Sequence, residues 1–195
     1  MLFRSWRTQT NEACGPTNES APCELYVHTE LLQQREQGIR RSDPRKEQLP
    51  VLSFLATQPS SLRLNILVNE QDYKNPPTWL AHLLKHERFR SRLQITNFDF
   101  NIEDLPQKEM LVRAYRDVKT LANKSDLRRY AVLYVNGGLW FDTDTIFIND
   151  VRPLMGVDFV YVAGSRYNGA VMGASSQNSD FIRAAIEHEI GRAHV

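Results

Sequence analysis

The sequence predicts an α/β layered fold with a largely parallel sheet. Three observations carry that expectation. From residue 46 onward, apolar strand patterns alternate with helical ones in the order strand, helix, strand, helix, helix, strand. The chain has 195 residues, of which 42% are hydrophobic and 24% charged, enough for one domain with a real core. Finally, two carboxylates stand at the exit of a short apolar strand, where open α/β sheets hold their ligands.

The elements follow in order. Residues 1–45 are polar and rich in Gln, Arg, Glu, Asn and Pro, and read as a leader or stem. Tyr26 to Gln34 is compatible with a short helix or a strand but nothing there fixes either, and Leu2–Trp6 is a candidate remnant of a first nucleotide-binding strand. The domain is expected over residues 46–189. Leu49, Leu52, Phe54 and Leu55 predict a short helix ending before Pro59, and Leu62–Val68 predicts a buried strand. Pro76-Pro77 opens a helix carrying Trp79, Leu80, Leu83 and Leu84, and Leu93–Phe98 forms a second strand. Pro106 opens a longer helix to about Leu121, with Met110, Leu111, Ala114, Tyr115, Val118 and Leu121 on one face.

The stretch Lys124–Asp150 organises the rest. Ser125 reads as the N-cap of a helix over Asp126–Val135, which Asn136-Gly137-Gly138 ends. Leu139-Trp140-Phe141 then reads as a strand that delivers Asp142 and Asp144 to one side, because alternate strand residues share a face. Ile146-Phe147-Ile148 favours a strand, Asp158–Val162 forms one, and Asn168–Ala174 is a small-residue strand or loop. Ser179 caps a last helix carrying Phe181, Ile182, Ala185 and Ile186.

Composition narrows the function. A net charge of +1 argues against nucleic-acid binding driven by bulk charge. No apolar run reaches about 18 residues, so no membrane span is present, and any anchor would lie outside this sequence. Cys14 and Cys23 are read either as free thiols or as a small disulfide loop of a secretory compartment, and Asn18-Glu19-Ser20 is a glycosylation sequon beside them. His82 and His86 share a helix face without a nearby Glu pattern and read as solvated.

A lone D-x-D most often caps a turn. Here an apolar strand, a Gly-Gly and an Asp126/Arg129 pair at i, i+3 accompany it. Two hard carboxylates suit Mg²⁺ or Mn²⁺, which share their shell with substrate phosphates and neutralise a departing diphosphate. Asp126 and Arg129 could hydrogen-bond sugar or ribose hydroxyls.

Ser125-Asp126-x-x-Arg129-Tyr130, followed by Gly137-Gly138-x-x-x-Asp142-x-Asp144, resembles the sugar-binding D-x-D region of glycosyltransferases, in particular the yeast α1,6-mannosyltransferase, α1,4-galactosyltransferase and glucosylating-toxin group. The resemblance covers roughly Lys119 to Ala174. It implies a GT-A-like (Rossmann-like) fold, a nucleotide-sugar donor, usually Mn²⁺, and retention of anomeric configuration. By that likeness Asp142 faces the ribose and the metal shell and Asp144 ligates the metal. Asp126 and Arg129 hold the donor sugar, and Asn168 and Gly169 line the donor site. A glycan, glycolipid or protein acceptor and a Golgi or other secretory lumen follow as expectations, with cytoplasm as the alternative. Trp140 departs from the aromatic Tyr or aliphatic residue more usual there.

Such enzymes continue past this point, so a C-terminal metal ligand and an acceptor-binding segment are expected beyond residue 195. The last residues, EIGRAHV, resemble the translation of a sequencing adapter, and residues 190–195 are expected to be an artefactual tail. Two other readings compete. Phe141-Asp142-Thr143-Asp144 also looks like the first motif of haloacid-dehalogenase-type phosphatases, with Asp142 as nucleophile. A non-catalytic nucleotide-sugar-binding remnant is the third.

Overall fold

The computed structural model describes residues 25–31, 44–97, 105–163 and 166–193. They form a six-stranded mixed sheet flanked by helices. The strands are β1 (Leu25–Glu30), β2 (Leu62–Val68), β3 (Leu93–Asn97), β4 (Gly138–Phe141), β5 (Phe159–Ala163) and β6 (Arg166–Ala174). Their order across the sheet is β3-β2-β1-β4-β6-β5. The pairs β3–β2, β2–β1 and β1–β4 are parallel, and β6 runs antiparallel to both neighbours. The expected α/β architecture is therefore present, its parallel half built by helical crossovers.

That order has a consequence for binding. From β1 the chain steps outward through β2 to β3, then returns to lay β4 on the other side of β1. The strand order reverses between β1 and β4, and the crevice outside the carboxyl ends of those strands is where such sheets bind ligands. Asp142 follows β4 at that edge.

Each face of the sheet carries its own core. On one side α1 (Pro44–Thr57) and α3 (Thr78–Lys85) bury Val51, Phe54 and Leu80 against Leu62, Leu64, Ile66, Leu139 and Phe141. On the other, α5 (Lys108–Asp117), α6 (Leu121–Asn136) and α7 (Asp180–Ala193) bury Leu111, Leu127, Ala131, Ile182 and Ile186 against Trp140 and Met172. The alternation is visible within one strand: Leu139 and Phe141 point to the first core and Trp140 to the second. Two short helices, α2 (Glu70–Lys74) and α4 (Glu87–Arg90), complete the crossovers around β2 and β3. No helix among the described residues is long and apolar enough to cross a membrane.

The largest departure from the sequence reading is β1. Leu25–Glu30 lies in the middle of the sheet, not in a polar leader, and is the first strand among the described residues. Leu2–Trp6 itself, Cys14, Cys23 and the Asn18 sequon lie outside the described residues. The sequence LYVHTE reads as polar because of His28, Thr29 and Glu30, yet all three are buried. His28 Nε2 donates to the Gly137 carbonyl (3.1 Å), because a carbonyl can only accept. Nδ1 is then the acceptor for the Asn65 amide (3.3 Å), and Asn65 Oδ1 accepts from Thr96 (2.6 Å). One tautomer satisfies a polar ladder across three strands and ties β1 to the Gly-Gly turn.

Burial holds the His28 pKa down at about 4, against an ordinary value of 6.5. The unfolded chain therefore takes up a proton near pH 6.5 that the folded chain refuses until about pH 4. The resulting stability is complete above pH 6.5 and is lost as the pH falls towards 4. The loss is about 3 kcal/mol by pH 4. Urea midpoints measured across this window should fall with acid in the wild-type chain, and His28→Gln should flatten the slope. An unchanged slope in His28→Gln would place the acid sensitivity elsewhere.

Other expectations shift in detail. Pro50 lies inside α1, which starts at Pro44. Ile146-Phe147-Ile148 forms no strand: Phe147 is buried against Phe54 and Phe141, while Ile146 and Ile148 are exposed. Ser179 caps α7 as expected, its hydroxyl accepting from the Ile182 amide at 3.3 Å.

Candidate active site at the β4 edge

The site is built from three adjoining pieces, α6, the turn after β4, and β6. α6 begins earlier than the sequence reading had it. Thr120 is the N-cap, accepting from the Asn123 amide, and Ser125 is buried within the helix. Asp126 and Arg129 consequently sit towards its middle. The helix ends as expected at Gly137, whose amide bonds to the Leu133 carbonyl at 2.8 Å. Gly137 and Gly138 have φ of +63° and +88°, conformations L side chains rarely adopt. A Cβ on Gly138 would also overlap the Tyr26 carbonyl of β1. The Gly-Gly thus turns the chain and lets β4 close on β1.

β4 ends at Phe141, and the D-x-D is a turn rather than a strand continuation. The Asp142 amide donates to the Ala170 carbonyl of β6 (2.8 Å), and the Thr145 amide donates to the Asp142 carbonyl (3.0 Å). This i to i+3 bond makes Asp142–Thr145 a β-turn with Asp144 at its third position. The two carboxylates are therefore positioned by a turn and not by strand alternation. Asp144 is exposed and bonds to no described residue.

Asp142 is held firmly. Its Oδ1 accepts from Trp140 Nε1 at 2.9 Å and from Arg129 Nη2 at 3.1 Å. The same Arg129 nitrogen lies 3.0 Å from Asp126 Oδ1, so one guanidinium joins both acids. The Arg129 side chain is 7% exposed, whereas that of Asp126 is 45% exposed and open to a ligand. Partial burial pushes the Asp126 carboxyl above its ordinary range, Arg129 pulls it back, and Asp142 and Glu189 add to the upward push.

Gly169 explains itself by contact. A Cβ there would overlap the Arg129 guanidinium, with Cζ only 2.9 Å away. Gly169→Ala should therefore push Arg129 off its two carboxylates. For the nucleotide-sugar donor that the sequence resemblance implies, affinity should then weaken about tenfold, the size of effect seen when a supporting contact behind a ligand-binding group is lost. A titration of donor KM checks this, and a KM within twofold of wild type would contradict it. Asn168 precedes Gly169 in β6, its backbone paired with Tyr161 of β5.

The structure thus brings together Asp126, Arg129, Asp142 and Gly169, with Asp144 beside them. Sequence reasoning missed the indole of Trp140 as a partner of Asp142, although its i, i+2 spacing could have suggested it. It also missed a second cluster. Arg128, next to Arg129 on α6, bonds through Nη1 to Glu30 at the end of β1 and through Nη2 to the Tyr115 hydroxyl. Burial draws the Arg128 pKa down to about 10.

Among the described residues, no group of three or more His, Cys, Asp or Glu side chains could hold a metal ion. The residues that could hold an ion are Asp144 and Asp142, whose second oxygen bonds to no described residue. Two hard carboxylate oxygens with an open side fit Mg²⁺ or Mn²⁺, which complete their shells with phosphate and water.

A mixed α/β sheet flanked by helices, with a D-x-D turn at its topological switch point, is consistent with a GT-A-like fold. The chain belongs to the family described as the glycosyltransferase sugar-binding region containing the DXD motif, whose model matches residues 44–160, more than half of it. Solved structures agree on the fold. The PaToxG glycosyltransferase is similar with a TM-score of 0.60 and 15% identity, over 88% of this chain and 60% of that one. A transferase solved as a cysteine-to-serine mutant is similar with a TM-score of 0.55 and 11% identity, over 87% of this chain and 78% of that one. No curated protein sequence matches. This family membership displaces the haloacid-dehalogenase reading, whose motif opens its domain, whereas here the motif follows the fourth strand of the sheet.

Proposed function

We propose that this chain forms the donor site of a metal-dependent, retaining glycosyltransferase that uses a nucleotide-diphosphate sugar. One observation carries the reading. The family's D-x-D lies at the β1–β4 switch point with Asp126 and Arg129 bonded into it. Asp144 and the free oxygen of Asp142 would hold Mn²⁺ or Mg²⁺. When bound, the ion neutralises charge on the departing diphosphate.

The residues of the chain divide the remaining work. Asp126, the more open of the two acids paired with Arg129, accepts hydrogen bonds from donor-sugar hydroxyls. Arg129 lies deeper and fixes both carboxylates, with its other nitrogen, Nη1, against Gly169. Gly169, and with it Asn168, forms the wall of the donor pocket. Retention of configuration is supported by the resemblance to enzymes that retain it. The acceptor is a glycan, glycolipid or protein. A Golgi or other secretory lumen, reached through an anchor outside this sequence, is supported by the Asn18 sequon and the Cys14/Cys23 pair.

The test is hydrolysis of a panel of UDP- and GDP-sugars with and without Mn²⁺, following the released sugar by proton NMR. Mn²⁺-dependent release of the sugar in the donor's own anomeric form is expected. Release as the opposite anomer would overturn retention. Release of inorganic phosphate from phosphomonoesters, with no sugar release, would overturn the transferase reading.

A further inference from the structure

We propose that Trp140 is a positioning residue for the metal-binding carboxylate: its indole N–H, with Arg129, locks Asp142 so that the other oxygen faces the ligand. The inference rests on the donor-site reading above and adds a residue to it.

A carboxylate on an Asp side chain is a broad rotor about its last torsion. Left alone, Asp142 would present either oxygen in many directions. Two donors meet on Oδ1, at 2.9 Å from Trp140 and 3.1 Å from Arg129. They arrive from different elements, β4 and α6, and so fix the plane of the carboxylate as well as the identity of the bonded oxygen. Both donors are buried. Trp140 is 1% exposed, packed in the core under α6, and Arg129 lies over its ring at 5.6 Å. A buried indole N–H needs an acceptor, and Asp142 supplies it two residues along the same strand direction. Asp142 is also pinned through its amide to Ala170. These contacts restrict the side chain before a ligand arrives. Such outer contacts orient metal-binding groups and raise affinity without touching the ion.

The experiment is Mn²⁺ titration of the full chain, with the free ion followed by its EPR signal. Trp140→Phe keeps an aromatic ring in the core and deletes the N–H. It should weaken Mn²⁺ binding about tenfold. Trp79→Phe is the control, because the Trp79 indole N–H is buried and has no partner among the described residues. It should move the melting temperature and leave Mn²⁺ affinity unchanged. Mn²⁺ affinity of Trp140→Phe within twofold of wild type overturns the inference, as does an equal loss in Trp79→Phe.

A second readout does not depend on the folding of Trp140→Phe. In ¹⁵N spectra of the wild-type chain and Asp142→Ala, one indole N–H resonance should shift upfield when its acceptor is removed. Indole resonances that all stay in place overturn the inference. Failure of the donor-site reading looks different: the wild-type chain itself then leaves the Mn²⁺ signal unchanged at every concentration, and the inference falls with it.

Discussion

Asp144→Ala should fold like the wild-type chain and lose metal-dependent turnover about a thousandfold. The two halves of this result have separate causes. Asp144 is exposed in the turn after β4 and bonds to no described residue, so its removal should cost stability no more than about 0.5 kcal/mol. In the proposed donor site its carboxylate would nevertheless supply one of the two protein oxygens that hold the ion. Losing that ion removes several kcal/mol of stabilisation of developing charge. About 4 kcal/mol corresponds to the thousandfold loss. Asp142→Ala should be equally inactive but also less stable, because it strips the acceptor from a buried arginine and a buried indole. A buried donor left without its partner costs about 1–3 kcal/mol. Steady-state kinetics beside urea unfolding of both variants separates the effects. Metal-dependent turnover surviving in Asp144→Ala would remove it from the site.

The largest stability effect should come from the other side of the crevice. Glu30 and Arg128 form an ion pair between the end of β1 and α6, with side chains 3% and 20% exposed. Glu30 Oε2 has no hydrogen-bond partner among the described residues, so Arg128 is what offsets burying this carboxylate. Arg128→Met leaves that charge stranded and should cost about 3–5 kcal/mol. Replacing both, as Glu30→Leu with Arg128→Met, should recover most of the loss, since apolar groups of similar volume carry no desolvation penalty. Urea unfolding of the two single variants and the double variant gives the coupling directly. A double variant as unstable as Arg128→Met alone would show that Glu30 is not the group that needs it.

These two sites differ in how far the sequence revealed them. Lys124–Asp150 was legible because its signals are local. Asp126 and Arg129 sit one helical turn apart, Gly137-Gly138 marks a turn only glycine tolerates, and the D-x-D follows at once. β1 was hidden for the opposite reason. His28 and Glu30 look like solvent-facing residues until Gly137 and Arg128 arrive, 109 and 98 positions away. Ile146-Phe147-Ile148 misled in the other direction. Its β-propensity is real, but no strand pairs with it, and only Phe147 finds a core. Ser125 looked like a cap because serine favours that position, yet Thr120 has the extended backbone and the bonded side chain that define one. The α/β rhythm survived all of this, because it depends on periodicity rather than on any single residue.

The central claim is that the turn after β4 binds a nucleotide sugar through a divalent ion. Thermal unfolding with UDP- and GDP-sugars, each with and without Mn²⁺, tests it most directly. At least one donor should raise the melting temperature only when Mn²⁺ is present, and the shift should vanish in a chain carrying both Asp142→Asn and Asp144→Asn. The same Mn²⁺-dependent shift in that double variant would contradict the account.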